Sequence, residues 1–139
     1  VTEAAQNTLA LDYGERQTGA ALAQAGDLFA KPLVTLSSDE TLTKQLIALV
    51  AEHRVKQIVV GWPRNLDGER TDQSRASEQF AAHLRATLDL SVVLQDEALT
   101  SQAAAELLPP KMPPLERKLY EHQLAAKIIL EDYLAAGQK

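Results

Sequence analysis

Thr8-Leu9-Ala10-Leu11-Asp12-Tyr13-Gly14 is a short apolar run that carries a carboxylate near its end and stops at a glycine. Such a run reads as a buried β-strand closed by a turn. Thr18 to Ala25 follows, small and apolar, with Gly26-Asp27 as the next turn, and Leu28 to Leu36 resumes an extended pattern. Three strands joined by short turns predict an antiparallel meander. Asp12 is poor core material, so it either caps a turn or does chemistry. The Asp12-x-Gly14 spacing also allows a phosphate contact, because glycine lets backbone approach an oxyanion closely.

Outward from the meander the pattern changes period. Ser38 or Asp39 can cap a helix, and Leu42, Leu46, Leu49 and Val50 recur at helical spacing to about His53. Lys56 to Gly61 contains Ile58-Val59-Val60, a buried strand ended by Gly61 and Pro63. A polar loop, Arg64 to Thr71, leads to a helix over about Asp72 to Leu88. Ser91 to Gln95 is another buried strand, ending at Asp96-Glu97. Thr100 to Leu108 reads as a short helix. The prolines of Pro109 to Pro114 force a loop, and Leu115 to Ala136 forms a long final helix stopped by Gly137. A meander followed by βα units implies an α/β fold with a mixed five-stranded sheet flanked by helices. Sites in open α/β sheets form beyond the carboxyl ends of strands, where Asp12, Gly61 and Glu97 all fall.

The 139 residues fit one domain spanning 1–139. With 45% hydrophobic and 24% charged residues the composition is that of a soluble globular protein able to build its own core. The absence of cysteine excludes disulfides, thiolate zinc sites and cysteine nucleophiles, and is compatible with a reducing, cytoplasmic setting. Val1 to Thr8 lacks the pattern of a secretory signal, and no apolar run approaches the ~20 residues of a membrane span. The net charge of −5 opposes nucleic-acid binding unless basic residues cluster.

Asp96 and Glu97 are adjacent on a strand and alternate faces, so at most one points toward Asp12. Two acids on one sheet edge can hold a hard cation through oxygen ligands. Phosphodiester cleavage commonly uses two cations, one activating water and one stabilising the leaving oxygen. That chemistry wants a further ligand, for which the final helix is the natural donor. Two basic groups could reach the same edge and contact phosphates: Arg64, Arg70 and Arg75, and Lys111, Arg117 and Lys118. Trp62 beside Pro63 is expected to pack rather than stack on a base, and His53 and His83 are expected at the surface. Leu115, Leu119, Leu124, Ile128 and Leu130 are expected to pack.

Four segments resemble one known family. Leu9-Ala10-Leu11-Asp12-Tyr13-Gly14 with Thr18-Gly19-Ala20-Ala21 is similar to the opening motif of the YqgF family of RuvC-like nucleases. Val59-Val60-Gly61-Trp62-Pro63-Arg64-Asn65-Leu66-Asp67-Gly68 resembles its second motif, and Val92 to Ser101 its third. Ala125-Ala126-Lys127-Ile128-Ile129-Leu130 with Tyr133-Leu134 resembles its C-terminal helix. The likeness covers nearly the whole chain in order. It implies an RNase H-like fold and a Mg²⁺- or Mn²⁺-dependent nuclease. The family is associated with 5′-end processing of small-subunit ribosomal RNA precursor and with Holliday-junction resolution.

By that resemblance Asp12 and Glu97 are the first two catalytic acids. The family pattern has Asp three residues before the Ala-Ala pair, where this chain has His122, and Arg after Asp-Glu, where it has Ala98. His122 completes the expected catalytic and metal-binding set; a neutral imidazole suits Mn²⁺ or Zn²⁺ better than Mg²⁺, which favours oxygen, and it is also a candidate general base. Glu121 beside it points about 100° away around the helix, and Asp132 lies about 15 Å further along. The expected partner is structured RNA or branched DNA, with no membrane, for a monomer or homodimer. A second reading is a catalytically weakened nucleic-acid- or ribosome-binding module. A third, a phosphate-binding lobe of the sugar-kinase and actin type, needs a second such lobe for which the chain is too short.

Overall fold

The computed structural model describes residues 6–63, 71–97 and 106–136. The elements run β1 (Thr8–Tyr13), β2 (Gln17–Ala23), β3 (Lys31–Ser37), α1 (Leu42–Glu52), β4 (Gln57–Trp62), α2 (Asp72–Leu88), β5 (Ser91–Asp96) and α3 (Pro114–Ala136). The strands form one mixed sheet in the order β3-β2-β1-β4-β5. β1–β2 and β2–β3 are antiparallel, as the short turns require. β1–β4 and β4–β5 are parallel, as helical crossovers require. This is the sheet expected from the sequence.

The two faces follow from alternation along each strand. Leu9 and Leu11 of β1, Ile58 and Val60 of β4, and Val92 of β5 point to one side. There they pack with Leu42 and Leu46 of α1 and Phe80, Ala81 and Leu84 of α2. Ala10, Ala21, Ala23 and Val59 point to the other side, against Ala126, Ile129 and Leu130 of α3. A fully buried leucine or isoleucine contributes about 1.5–3 kcal/mol, and the first face buries more such large side chains than the second. The alanines of the second contribute little area and instead let α3 lie close to the sheet.

Several boundaries differ from expectation. β3 begins at Lys31 rather than Leu28. Leu28 and Phe29 are 52% and 77% exposed; they are apolar but sit in the connection, with no sheet face to bury. β2 ends at Ala23, because Asp27 bends the chain: its N–H bonds the Gln24 carbonyl and its carboxylate accepts the Gln24 N–H. α1 starts from Thr41 rather than Ser38 or Asp39. Asp39 Oδ1 instead accepts from the Thr41 N–H (2.8 Å) and hydroxyl (2.6 Å), and the Ser38 hydroxyl pairs with that of Thr18. α2 is closed at its start by a reciprocal Thr71–Ser74 capping box and at its end by Asp89 in the left-handed region, φ 53°. Most of the helix expected over Thr100–Leu108 lies outside the described residues. Leu115 is 71% exposed in the first turn of α3, so it does not pack as expected, whereas Leu124 and Leu130 are buried.

Candidate active site

Three strands deliver their carboxyl ends side by side. On β1, Asp12 lies two residues beyond Ala10, so it faces α3. On β4, Gly61 lies two beyond Val59 and does the same. Beyond β5, Glu97 continues the Val93–Gln95 alternation onto that face, and its N–H donates to the Trp62 carbonyl (3.3 Å). Glu97 rather than Asp96 is therefore the acid turned toward Asp12.

Gly61 explains how Glu97 gets there. A Cβ on Gly61 would lie 2.6 Å from Glu97 Oε2 and 2.5 Å from Ile129 Cδ1. The Glu97 carboxylate thus lies over the bare backbone of β4, the strand between its own and that of Asp12. Burial pushes the Glu97 carboxyl up to about 8, with further upward contributions from the negative charges of Asp12 and Asp96. Two carboxylates facing one another in a partly dry site repel, and a cation is the natural way to relieve that repulsion.

α3 supplies the opposite wall. His122, Ala126, Ile129 and Tyr133 recur at helical spacing on one stripe, and His122 is the member nearest the carboxyl ends. Its Nδ1 is 3.3 Å from Asp12 Oδ2. Gly19, the cross-strand partner of Asp12, makes that approach possible. A Cβ there would overlap the His122 carbonyl and lie 2.7 Å from its Cβ. Gly14 has a different role: a Cβ would meet the Gln17 carbonyl oxygen at 2.6 Å, so the β1–β2 turn demands glycine. Thr35 of β3 fixes α3 from the side. Its hydroxyl donates to the Leu119 carbonyl (2.6 Å) and accepts from Gln123 Nε2 (3.1 Å), bracketing His122. A cavity of about 230 Å³ opens beside Asp12, lined by Lys118, Glu121, His122 and Ala125.

The structure brings Asp12, Glu97, His122 and Lys118 to one sheet edge. Other basic residues named from the sequence have separate positions. Arg75 is exposed and bonds Asp72 (3.1 Å), and Lys111 is exposed in the proline loop. Arg117 donates to the carbonyls of Pro109 and Pro110 (3.0 and 3.2 Å), steadying that loop. Arg64 and Arg70 lie outside the described residues. Trp62 Nε1 donates to Glu78 (2.8 Å), which holds the indole against α2. His53 meets Glu52 and His83 meets Thr43, both away from the site. Asp132 lines a separate hollow with Leu28 and Phe29. Sequence reasoning placed Gly61 at a strand's carboxyl end and Gly19 in the opening motif without giving either a role, and it missed Thr35; a glycine in or at the end of a strand was the signal for a close approach.

Among the described residues, no three His, Cys, Asp or Glu side chains gather closely enough to hold a metal by themselves. Two carboxylates still fit a hard cation, since Mg²⁺ is commonly held by one or two carboxylates, with waters and substrate phosphates completing the shell. Among the described residues, no helix is long and apolar enough to cross a membrane.

Comparison with known proteins places the fold and the family. A protein of Chloroflexus aurantiacus described as a candidate pre-16S rRNA nuclease is 40% identical over 134 residues, covering 94% of this chain and 88% of its own. A protein of Geobacillus kaustophilus with the same description is 38% identical, covering 91% and 96%. Among solved structures, Thermus thermophilus RuvC in complex with a Holliday junction substrate superposes with a TM-score of 0.54 at 14% identity, covering 96% of both chains. Fowlpox virus resolvase, in complex with Holliday junction DNA, gives 0.54 at 9% identity over 96% and 99%. These two establish the RNase H-like fold. Residues 6–136 match the family described as RuvX: Holliday junction resolvase, and the chain belongs to that family.

Proposed function

We propose that this protein is a cytoplasmic, divalent-metal-dependent nuclease, with one nuclease domain, that cuts phosphodiester bonds in structured nucleic acid. Its substrates are the 5′ end of pre-16S rRNA, branched DNA of the Holliday-junction kind, or both. The observation that carries this reading is Glu97. Its carboxylate lies over the bare backbone of Gly61, on the face that Asp12 shares, and burial and the charge of Asp12 raise it to about 8; a buried, perturbed acid beside a second carboxylate marks a functional site. Family membership and the names of the relatives support the same reaction.

Asp12 and Glu97 would hold Mg²⁺ or Mn²⁺. Such an ion activates water and stabilises charge on the leaving oxygen. Asp12 is held by β1 and by the His122 contact, so its carboxylate is oriented before substrate arrives. His122 stands on the wall of the adjoining cavity, placed to meet the phosphate or to accept a proton. Lys118 offers a cation to the substrate backbone. Arg64, Arg70, Arg75, Lys111 and Arg117 would serve as further phosphate contacts for a protein acting as a monomer or homodimer.

The test is Asp12→Asn. The variant should fold with an unchanged Tm and lose Mn²⁺-dependent cleavage of a four-way DNA junction and of a pre-16S 5′-leader RNA. Cleavage at the wild-type rate would show that Asp12 is not the anchoring acid. The second reading, a binding module without activity, draws on the absence of a three-ligand group among the described residues. It predicts binding of the same substrates with no cleavage in either metal.

A further inference from the structure

The two sides of Asp12 are chemically unlike. Toward β4 and β5 it faces the Glu97 carboxylate across the bare backbone of Gly61. Toward α3 it faces nitrogen: His122 Nδ1 occupies Oδ2 at 3.3 Å, and Lys118 lines the adjoining cavity. Lys118 has no ion-pair partner among the described residues. Glu121 shares the cavity, but it follows Lys118 by three residues, the spacing at which helical side chains are neighbours. An oxygen-seeking ion finds two carboxylates on the first side. On the second it finds an imidazole, an ammonium and the Glu121 carboxylate; among the described residues Asp12, Glu121 and His122 do not gather closely enough to hold a metal, and the oxygen nearest to the ion is already engaged.

We propose that the site takes a single divalent cation, between Asp12 and Glu97, and that His122 and Lys118 stand where a second would bind and contact the substrate phosphate directly. This rests on the nuclease reading for the identity of the substrate, but the count of ions does not depend on turnover. An ammonium and an imidazole N–H both donate to phosphate oxygens, and lysine serves as a point charge in such contacts. The cavity of about 230 Å³ leaves room for the phosphate group beside Asp12.

The experiment counts Mn²⁺ by the loss of the free-ion EPR signal on titration of the metal-free protein at pH 8. Wild type should bind one ion per chain, and Asp12→Asn none. His122→Asp should bind two, because the substitution places a carboxylate where the imidazole was. His122→Asn, which carries no charge, should stay at one and controls for damage to α3. Glu121→Gln should also stay at one. Two ions on wild type, none on wild type, one on His122→Asp, or loss of the ion from Glu121→Gln would each overturn the proposal.

The second arm measures binding of a four-way junction in Ca²⁺ by fluorescence anisotropy across a salt series. Lys118→Ala should weaken binding about fivefold to tenfold and lower the salt slope by about one, and Lys118→Arg should recover most of it. An unchanged slope would remove Lys118 from the phosphate contact. Cleavage is scored separately. A chain that binds one ion and holds the junction through Lys118, yet never cuts, would sink the nuclease reading and leave this inference standing.

Discussion

Glu97 makes the metal-free protein sensitive to alkali in a way that can be measured without any substrate. Its carboxyl is raised from 4.5 to about 8 in the folded chain. Between those values the folded state holds a proton that the unfolded state has released, so stability falls as pH rises through this window. Below about 4.5 both states are protonated and the effect vanishes; above about 8 the penalty is complete. At 1.36 kcal/mol per pH unit of displacement the ceiling is on the order of 5 kcal/mol, reduced wherever water reaches the carboxylate. For a chain of this size each kcal/mol moves Tm by roughly 4 °C, so a loss of roughly 10 °C between pH 5 and pH 9 is expected. The assay is scanning calorimetry in EDTA, with wild type and Glu97→Gln side by side to cancel every other titrating group. The amide should be the more stable form at pH 9 and about equal at pH 5. Mn²⁺ at about 100 times its Kd should return about 2.7 kcal/mol to wild type at high pH, and little to the variant. A wild-type-minus-variant difference that stays flat from pH 5 to pH 9 would refute the reasoning.

Three other substitutions probe the frame around the site. Gly19→Ala should lower stability by about 1–3 kcal/mol in urea unfolding, because its methyl overlaps the His122 backbone. The same variant should lose cleavage activity even below its Tm. Thr35→Val removes both bonds that bracket His122, and about 1–2 kcal/mol should be lost by the same assay. Ser77→Ala should be neutral or stabilising by up to about 1 kcal/mol, since the buried Ser77 hydroxyl has no hydrogen-bond partner among the described residues.

The sheet was legible because β1, β4 and β5 are so apolar that burial leaves them no alternative. The turns at Gly14 and Gly26 then dictate which pairs run antiparallel. The misplacements share one cause. Leu28, Phe29 and Leu115 are apolar, and an apolar residue is read as core, yet burial depends on whether an opposing surface exists. Asp39 could cap only if helical geometry began beside it, but its carboxylate closes a turn with Thr41 instead. At the site, strand alternation was enough to put Asp12 on a sheet edge and to allow only one of Asp96 and Glu97 to join it. The rotation of α3 was not readable, since its apolar residues spread around much of the helix. Only the close seat over Gly19, Ala21 and Ala23 and the Thr35 bonds set which residue meets Asp12. Gly19 itself was visible as a glycine within a strand, but its reason sits 103 positions away in the chain, at His122.

α3 is gripped at both ends of the sheet. At one end His122 meets Asp12. At the other, Tyr133 accepts a hydrogen bond from Gln57, the first residue of β4 (2.8 Å), and Glu131 takes the Ala30 N–H (2.9 Å). The eleven steps from His122 to Tyr133 span about 16 Å, and between them Ala126, Ile129 and Leu130 are seated on Ala10, Ala21, Ala23 and Val59. The setting of the imidazole over Asp12 thus depends on contacts at both ends of the sheet, those of Glu131 and Tyr133 as well as its own.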